Sequence, residues 1–595
     1  MKYDLVLLHA PSVYDFRENS ILAGPISDVV PSSPVFEMYP IGLTSIADYL
    51  ERYGLKVKII NIANRMLLDE SFDVEKKLRK IKTKAFGIDL HWLPHAHGSI
   101  ELAKVLKKLH PHIPIIFGGL SASYYHEELI QYPFIDFVVR GDSTEKLMLM
   151  LMNEIDSNSE YFDTIPNLTW KSGHETKVNA LTYVPSSLDE FDVPGYRYTI
   201  RSVFKYKNFL DPLPYKDWIQ YPNTAILTAR GCTQKCLICG GSKEAYGQNC
   251  GRKQLALRSP EKLIEDIVFI QRFSRAPIFI LHDIRQGGKP FVDEFFSRLK
   301  TISLKNELVF ELFQYADEEF FKKINDAVPK YSLELTLETH DEKIRRLNGK
   351  FNCTNQKVIE SLQFALKHGC SKIDLFFMIG IPDQTKESAL DNIKFVEEIH
   401  NSCSRDSRLA YFVAPLAPFL DPASAAFEHP EQFGYIKHCH TLEDHRKAIT
   451  QPSWKHMLSY ETNYMTRDDI VDATYESARL LNDFKLKYQL IDERGYQDIE
   501  SKITKSQAYI KRIDDLLAIS PDIRKEDLAQ LKKEFDALNE YSICGKNELK
   551  WEVKKHYANF LSLAFVGLEL LYEDYVVKIN QQLHPQERKQ INLDA

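Results

Sequence analysis

Two runs of alternating strand-like and helix-like segments constrain this chain's fold more than any other feature. In the first, apolar runs at 3–9, 56–62, 85–91, 113–119 and 137–141 read as strands. Stretches at 42–53, 72–81, 99–109 and 143–155 carry helical apolar faces between them. Strands joined by crossover helices pair in parallel, and a parallel sheet needs cover on both faces. Residues 1–155 therefore predict a flavodoxin-like or Rossmann-like α/β domain. A second series has strands at 223–229, 277–283, 307–313, 331–338, 372–380 and 408–415. Its first helix is announced by Ser259 as N-cap and Pro260 at the first helical position, with Leu263, Ile264, Ile267 and Ile270 on one face. Six such units predict a partial (β/α)6 barrel over 215–420, with its chemistry at the carboxyl ends of the strands. Residues 156–214, with a hairpin pattern at 167–184 and the turn-rich SSLDEFDVP, read as a connector. Residues 421–595 pass from Pro- and aromatic-rich loops into long helical patterns over 467–590, a mostly α-helical carboxyl-terminal domain or substrate cap.

Composition narrows the function classes. Of 595 residues, 44% are apolar and 27% charged, enough for several buried cores. Seventy-six basic against 83 acidic side chains give a net charge of −7, so no nucleic-acid partner is expected. The start, MKYDLVLLHAPS, lacks the pattern of an export signal, which makes the cytoplasm the expected location. The apolar stretch 560–571 is broken by Ser562, Gly567 and Glu569 and falls short of the roughly 20 residues that cross a bilayer, so no transmembrane segment is expected. Nine cysteines in such a chain do not make a disulfide framework, but three are crowded together.

Those three, Cys232, Cys236 and Cys239, follow the first strand of the second series with the spacing C-x3-C-x2-C. Three thiolates on one loop hold three corners of a cubane iron–sulfur cluster, where a purely electron-transferring cluster takes four. One iron is then open to a substrate or cofactor, by the logic that separates catalytic zinc sites from closed ones. The alternatives are a zinc site completed by a distant residue, or three ordinary buried thiols. Zinc knuckles come as paired C-x2-C units, and no second pair exists here.

The spacing, its place after barrel strand one and the five further strands resemble the radical S-adenosylmethionine (SAM) enzymes. The resemblance implies a [4Fe-4S] cluster whose open iron chelates SAM and whose reduction yields a 5'-deoxyadenosyl radical. It also implies an electron donor such as flavodoxin or ferredoxin. In that family an aromatic residue usually precedes the third cysteine; here it is Ile238. By the same resemblance SAM meets Ile238 and Gly240 beside the third cysteine, and His282 and Asp283 at the end of the second strand, with Gly287 and Gly288 beyond. It further meets Glu338 ending LELTLE, and the Gly380-Ile381-Pro382 turn after the fifth strand. Each of these also has a plain use as a turn or helix cap.

The amino-terminal sheet resembles the cobalamin-binding domain of B12-dependent radical SAM enzymes, and with the connector the likeness covers about residues 1–420. It rests on Pro40, Gly42 and Leu43 in YPIGL, Gly118, Gly119 and Ser121 in FGGLSAS, and Gly141, Asp142 and Glu145 in VRGDSTE, all just past strand ends. Cobalamin domains with a protein ligand to cobalt use D-x-H-x-x-G; here Asp89-x-His91 is present and Pro94 replaces the glycine, with His95 following. The resemblance implies that His91 or His95 ligates cobalt or lines the corrin; the alternative is an accessory domain without cofactor. Taken together it implies methyl transfer to an unactivated carbon of a small-molecule or peptide substrate. Cyclisation or rearrangement without net methylation, a radical SAM enzyme with a non-functional B12 domain, and a structural metal-cluster protein stay open. In the last third, residues 416–422, Tyr435, Trp454, His456 and Tyr460 are candidates for a substrate lid.

Overall fold

The computed structural model describes residues 2–18, 35–157, 161–216, 218, 224–350, 352–518, 521–536, 548 and 559–583. The first sheet holds β1 (Leu5–His9), β2 (Val57–Asn61), β3 (Ala85–Asp89), β4 (Ile115–Gly118) and β5 (Phe137–Val139), parallel in the order β2-β1-β3-β4-β5. Every residue of β1 and β3 is buried. Because side chains alternate across a strand, Leu5 and Leu7 enter one apolar cluster and Val6 and Leu8 another. The first cluster includes Leu43, Ala47 and Leu50 of the helix Ile41–Arg52. The second includes Ile100, Ala103 and Leu106 of the helix Ala96–Leu109 and continues into the barrel core. At about 1.5–3 kcal/mol for each fully buried aliphatic side chain, that shared core fixes the two units together.

The structure corrects the connector. β6 (Leu168–Ser172) and β7 (Glu175–Val178) form the expected hairpin, but it adds antiparallel to β5 and extends the first sheet to seven strands. An exposed β5 edge is thereby paired. The connector also contains an unforeseen helix, Tyr196–Tyr206, whose buried Arg201 reaches Asp48 at 3.0 Å and Glu51 at 2.8 Å.

The second sheet is parallel throughout. Its strands β8 (Thr224–Leu227), β11 (Ile278–Leu281), β12 (Leu308–Leu312), β13 (Tyr331–Glu338), β14 (Cys370–Ile379) and β15 (Leu409–Pro415) lie in chain order, so β8 and β15 are its two edges and the barrel is open. The short antiparallel pair β9 (Ala229–Arg230) and β10 (Ala256–Leu257) brackets the cysteine loop. Ser259 caps the helix Pro260–Ile270 as expected, accepting from Lys262 N at 3.3 Å, although the helix Lys243–Cys250 precedes it in this series.

Beyond residue 420 the long helices are present as Arg467–Lys487, Glu493–Leu517, Pro521–Asp536 and Phe560–Leu583. A hairpin of β16 (Tyr435–Lys437) and β17 (Tyr460–Thr462) lies where only loops were expected. The helix Arg467–Lys487, begun by a Thr466–Asp469 capping box, packs on β15 and covers the open edge. No helix among the described residues is long and apolar enough to cross a membrane.

Candidate functional site at the facing strand ends

The cysteine loop leaves β9 through Gly231, which turns at φ 94°. Leu237 N donates to Asn348 O at 2.9 Å, and Lys243 N to Gln234 O at 2.8 Å. Cys232, Cys236 and Cys239 are each half-buried and carry no disulfide. Backbone N–H groups point at two of the sulfurs: Gln234 N lies 3.3 Å from Cys232 Sγ and Gly241 N 3.3 Å from Cys239 Sγ. Such donors stabilise negative sulfur, as in iron–sulfur sites. Burial pushes the free thiols of Cys236 and Cys239 up to about 12, so binding a metal at neutral pH has to displace their protons. Among the described residues no three His, Cys, Asp or Glu side chains converge on one ion. Ile238 enters the main apolar core.

The barrel rim around this loop concentrates backbone strain. His282 and Gly380, the residues just after β11 and β14, and Glu338, which ends β13, take φ of 79°, 91° and 67°. Non-glycine residues rarely adopt such angles, and they cluster where a site needs them. His282 Nε2 donates to Gly231 O at 3.1 Å, tying β11 to the cysteine loop. Glu338 is buried beside Cys236; burial raises its carboxyl to about 7, and Oε2 has no hydrogen-bond partner. Pro382 is buried in the turn after Gly380.

Two nominated residues are committed elsewhere. Asp283 accepts from Arg285 Nε at 2.9 Å, Arg285 Nη2 at 2.6 Å and Phe313 N at 2.8 Å, so its carboxylate caps and clamps instead of facing a ligand. Gly240 donates its N–H to Asp421 Oδ2 at 3.0 Å, and a Cβ there would lie 2.9 Å from Asp421 Cβ. Its small size serves the docking of residues 421–422. Tyr435 and Tyr460 are buried against Gly380, not spread over the mouth as a lid: Tyr435 OH donates to Gly380 O at 3.0 Å. Sequence reasoning missed Gln286, whose Oε1 accepts from Thr233 N at 2.8 Å and whose Nε2 sits 3.6 Å from Cys232 Sγ. Its neighbours Gly287 and Gly288 were the available signal.

At the first sheet the order β2-β1-β3 places a topological switch between β1 and β3, where open α/β sheets bind ligands. His9 ends β1 and Asp89 ends β3. The Asp89 carboxylate holds His9 Nδ1 at 2.9 and 3.1 Å, and not His91 two residues on. Burial pulls the His9 pKa down, but Asp89 outweighs it and the imidazole ends raised, as a buried ion pair. His9 Nε2 and His95 Nε2 both donate to Phe36 O, at 3.1 and 2.9 Å. His95 is buried with Nδ1 unpartnered, and burial lowers its pKa to about 4. His91 and Trp92 are exposed at this edge, and desolvation lowers the His91 pKa despite the opposing charge of Asp89. Pro94 is the second residue of the short helical turn Leu93–His95, a place that needs no glycine.

The small residues keep this edge open and close-packed. A Cβ on Gly42 would meet nothing within 4 Å, whereas one on Gly119, at φ 115°, would lie 2.6 Å from His91 N and Cα. Ser121 N donates to His91 O at 3.2 Å, and Ser123 Oγ accepts from Gly141 N at 2.9 Å. Pro40 caps the helix bearing Leu43, and Gly118 pairs with Asp89 and Val139 at the strand ends.

Asp142 and Glu145 have a different use from the one expected of them: they lock the two units together. Glu145 binds Arg230 at 2.6 and 3.1 Å and accepts from Ser45 Oγ at 2.6 Å. Asp142 accepts from Arg252 Nη2 at 2.9 Å. Arg230 lies two residues before Cys232, and a Cβ on Gly231 would meet Arg252 Cδ at 2.7 Å. The cysteine loop is therefore anchored directly to the carboxyl edge of the first sheet.

Comparison with known proteins agrees with this division. The family described as B12 binding domain matches residues 28–150, and the Radical SAM superfamily matches residues 226–396. An uncharacterized methyltransferase of Pyrococcus horikoshii is 23% identical over 370 residues, covering 60% of this chain and 73% of the relative. A cytidylyl-2-hydroxyethylphosphonate methyltransferase of Streptomyces wedmorensis is 23% identical over 267 residues, covering 39% of this chain; the match spans 48% of that relative. The fold resembles the radical SAM methyltransferase TsrM from Kitasatospora setae, with cobalamin and [4Fe-4S] cluster bound, at a TM-score of 0.54 and 12% identity, over 90% of this chain and all of that one.

Proposed function

We propose that this chain, which belongs to the radical SAM superfamily and carries a B12-binding domain, transfers a methyl group to an unactivated carbon of a small-molecule or peptide substrate. The observation that carries the reading is the ionic lock of Arg230 and Arg252 onto Glu145 and Asp142, which sets the three-cysteine loop against the ligand-binding edge of the first sheet. It is an enzyme whose cofactors are a [4Fe-4S] cluster, SAM and cobalamin. When bound, these supply a carbon radical able to remove hydrogen and a transferable methyl group.

The chain's own residues place and enclose these groups. Cys232, Cys236 and Cys239 hold the cluster, with the N–H groups of Gln234 and Gly241 aimed at sulfur. His282, Glu338, Gly380 and Pro382 form the rim on which SAM rests; the unpartnered Glu338 Oε2 is an acceptor ready for a donor of that ligand. Gly42 and Gly118 leave room for the close backbone approach that a corrin needs, Gly119, Ser121 and Gly141 shape the same edge, and His91 lines its face. The His9–Asp89 pair and His95 hold Phe36 behind it. The substrate lies between the two edges, screened from water, and a small redox protein such as flavodoxin or ferredoxin supplies electrons.

The test is anaerobic reconstitution of the full chain with iron, sulfide and hydroxocobalamin, followed by reduction and assay of 5'-deoxyadenosine. The wild type is expected to bind about four irons and one corrin and to cleave SAM, whereas Cys236→Ala retains the corrin and loses cleavage. A deletion strain is then expected to accumulate a metabolite lighter by one methylene than its product in the parent strain. A product of unchanged carbon count refutes methylation, and failure to bind corrin removes the B12 part of the reading.

A further inference from the structure

The segment that follows β15 belongs to neither sheet, yet it touches both sides of the proposed reaction space. Asp421 is its centre. Asp421 Oδ2 accepts the Gly240 N–H at 3.0 Å, next to the third cysteine. Oδ1 lies 3.4 Å from the indole Nε1 of Trp92, the residue after His91 on the first sheet's edge. These partners are 181 and 329 residues away in sequence, and this one side chain meets both. The approach is tight: a Cβ on Gly240 would lie 2.9 Å from Asp421 Cβ and 3.0 Å from Pro422 O.

Neighbouring contacts repeat the pattern. Phe419 packs edge-on to Trp92, with centroids 5.4 Å apart. Ala426 N donates to Leu237 O within the cysteine loop at 3.0 Å, and Tyr124 OH of the first unit donates to Glu428 Oε1 at 2.7 Å. Residues 419–428 thus form a strap with one set of contacts on the cysteine loop and another on the corrin-facing edge.

The chemistry of the central group is informative. Each carboxylate oxygen of Asp421 takes one donor, Oδ2 from Gly240 and Oδ1 from Trp92; an amide in its place turns an N–H toward one of them. A carboxylate also sits badly beside thiolate sulfur, since like charges repel, so attraction to the cluster does not account for it. We propose that Asp421 is a positioning residue that gauges the cluster loop against the B12-binding edge, so that one carboxylate sets the separation of the two cofactor sites. The proposal rests on the cofactor assignment made above.

The test uses the full chain with Asp421→Ala, the isosteric Asp421→Asn and Trp92→Phe. Hydrogen exchange of the protein without cofactors reads the strap directly. Asp421→Ala is expected to speed exchange at 237–241 and 90–93 by on the order of tenfold, the loss of one charge-assisted bond at each loop. Asp421→Asn is expected to loosen one loop and keep the other. Trp92→Phe is expected to leave 237–241 protected. In reconstituted protein, the spin–spin interaction between the reduced cluster and cob(II)alamin reads their separation, which is expected to broaden in Asp421→Ala and to recover partly in Asp421→Asn. Wild-type exchange at both loops in Asp421→Ala, or an unchanged separation, overturns the proposal. If the wild type fails to load corrin or cluster, the cofactor reading falls while the exchange comparison still decides the strap.

Discussion

Replacing Glu145 by alanine strands the Arg230 guanidinium at the junction of the two units. The Glu145 and Arg230 side chains are 1% and 8% exposed, and the carboxylate meets both terminal nitrogens of the guanidinium, at 2.6 and 3.1 Å. Paired forks of this kind are strong because both bonds are charge-assisted. With the carboxylate gone, Arg230 keeps the neutral Ser143 Oγ at 3.0 Å, the Phe191 ring and the charge of Asp142, which it does not hydrogen-bond directly. Breaking a buried pair from one side costs about 3–5 kcal/mol, mostly as the desolvation of the charge left behind. Removing both charges with Glu145→Leu/Arg230→Met is expected to cost less than Glu145→Ala alone, since no buried ion remains. The assay is urea unfolding of the wild type, both single variants and the double, followed separately by far-UV circular dichroism and tryptophan fluorescence, because a chain of several units need not unfold in one step. A loss below about 1 kcal/mol in Glu145→Ala, the range of exposed ion pairs, refutes the reasoning. A double variant less stable than Glu145→Ala refutes it as well.

Other outcomes follow from single contacts. Asp192 has its carboxyl raised to about 7 from an ordinary 3.8, first by burial and then by Asp48 and Asp266. The folded state then binds the proton more tightly than the unfolded one, so this group's contribution falls as pH rises from about 4 to about 7. Asp192→Asn is expected to flatten the stability–pH curve in that window; denaturation midpoints at pH 5 and 7.5 check it, and an unchanged slope counts against it. Gly119→Ala puts a Cβ 2.6 Å from the His91 backbone at φ 115°, so the His91 loop must shift. A loss of about 2–4 kcal/mol and weaker corrin retention are expected, measured by thermal unfolding and by absorbance after gel filtration. Gly567→Ala drives a Cβ to 2.2 Å from the Phe204 ring and is expected to loosen the helix Phe560–Leu583, read as faster proteolytic release of the chain's end.

The strands, the main helices and the order of the two α/β units were legible because apolar periodicity and cap residues are local signals. So was the cysteine triplet, whose spacing over eight residues carries its own chemistry. Strand expectations ran past the observed ends, as at 85–91 against Ala85–Asp89. The hairpin's attachment to β5 was not legible, since an edge is defined only by what fails to pair with it.

What the sequence could not state is which charge finds which partner. Asp89 takes His9 across 80 residues and ignores His91 two positions on; Asp142 and Glu145 turn away from the expected ligand to Arg252 and Arg230; Asp421 spans Gly240 and Trp92. Each partner lies on a different element, and the pairing depends on how the elements dock. Docking is set by burial of apolar surface, which acts through area and has no direction of its own. Only once the two sheets had come together at the shared core did hydrogen-bond geometry, short-ranged and directional, select among the polar groups left at their facing edges.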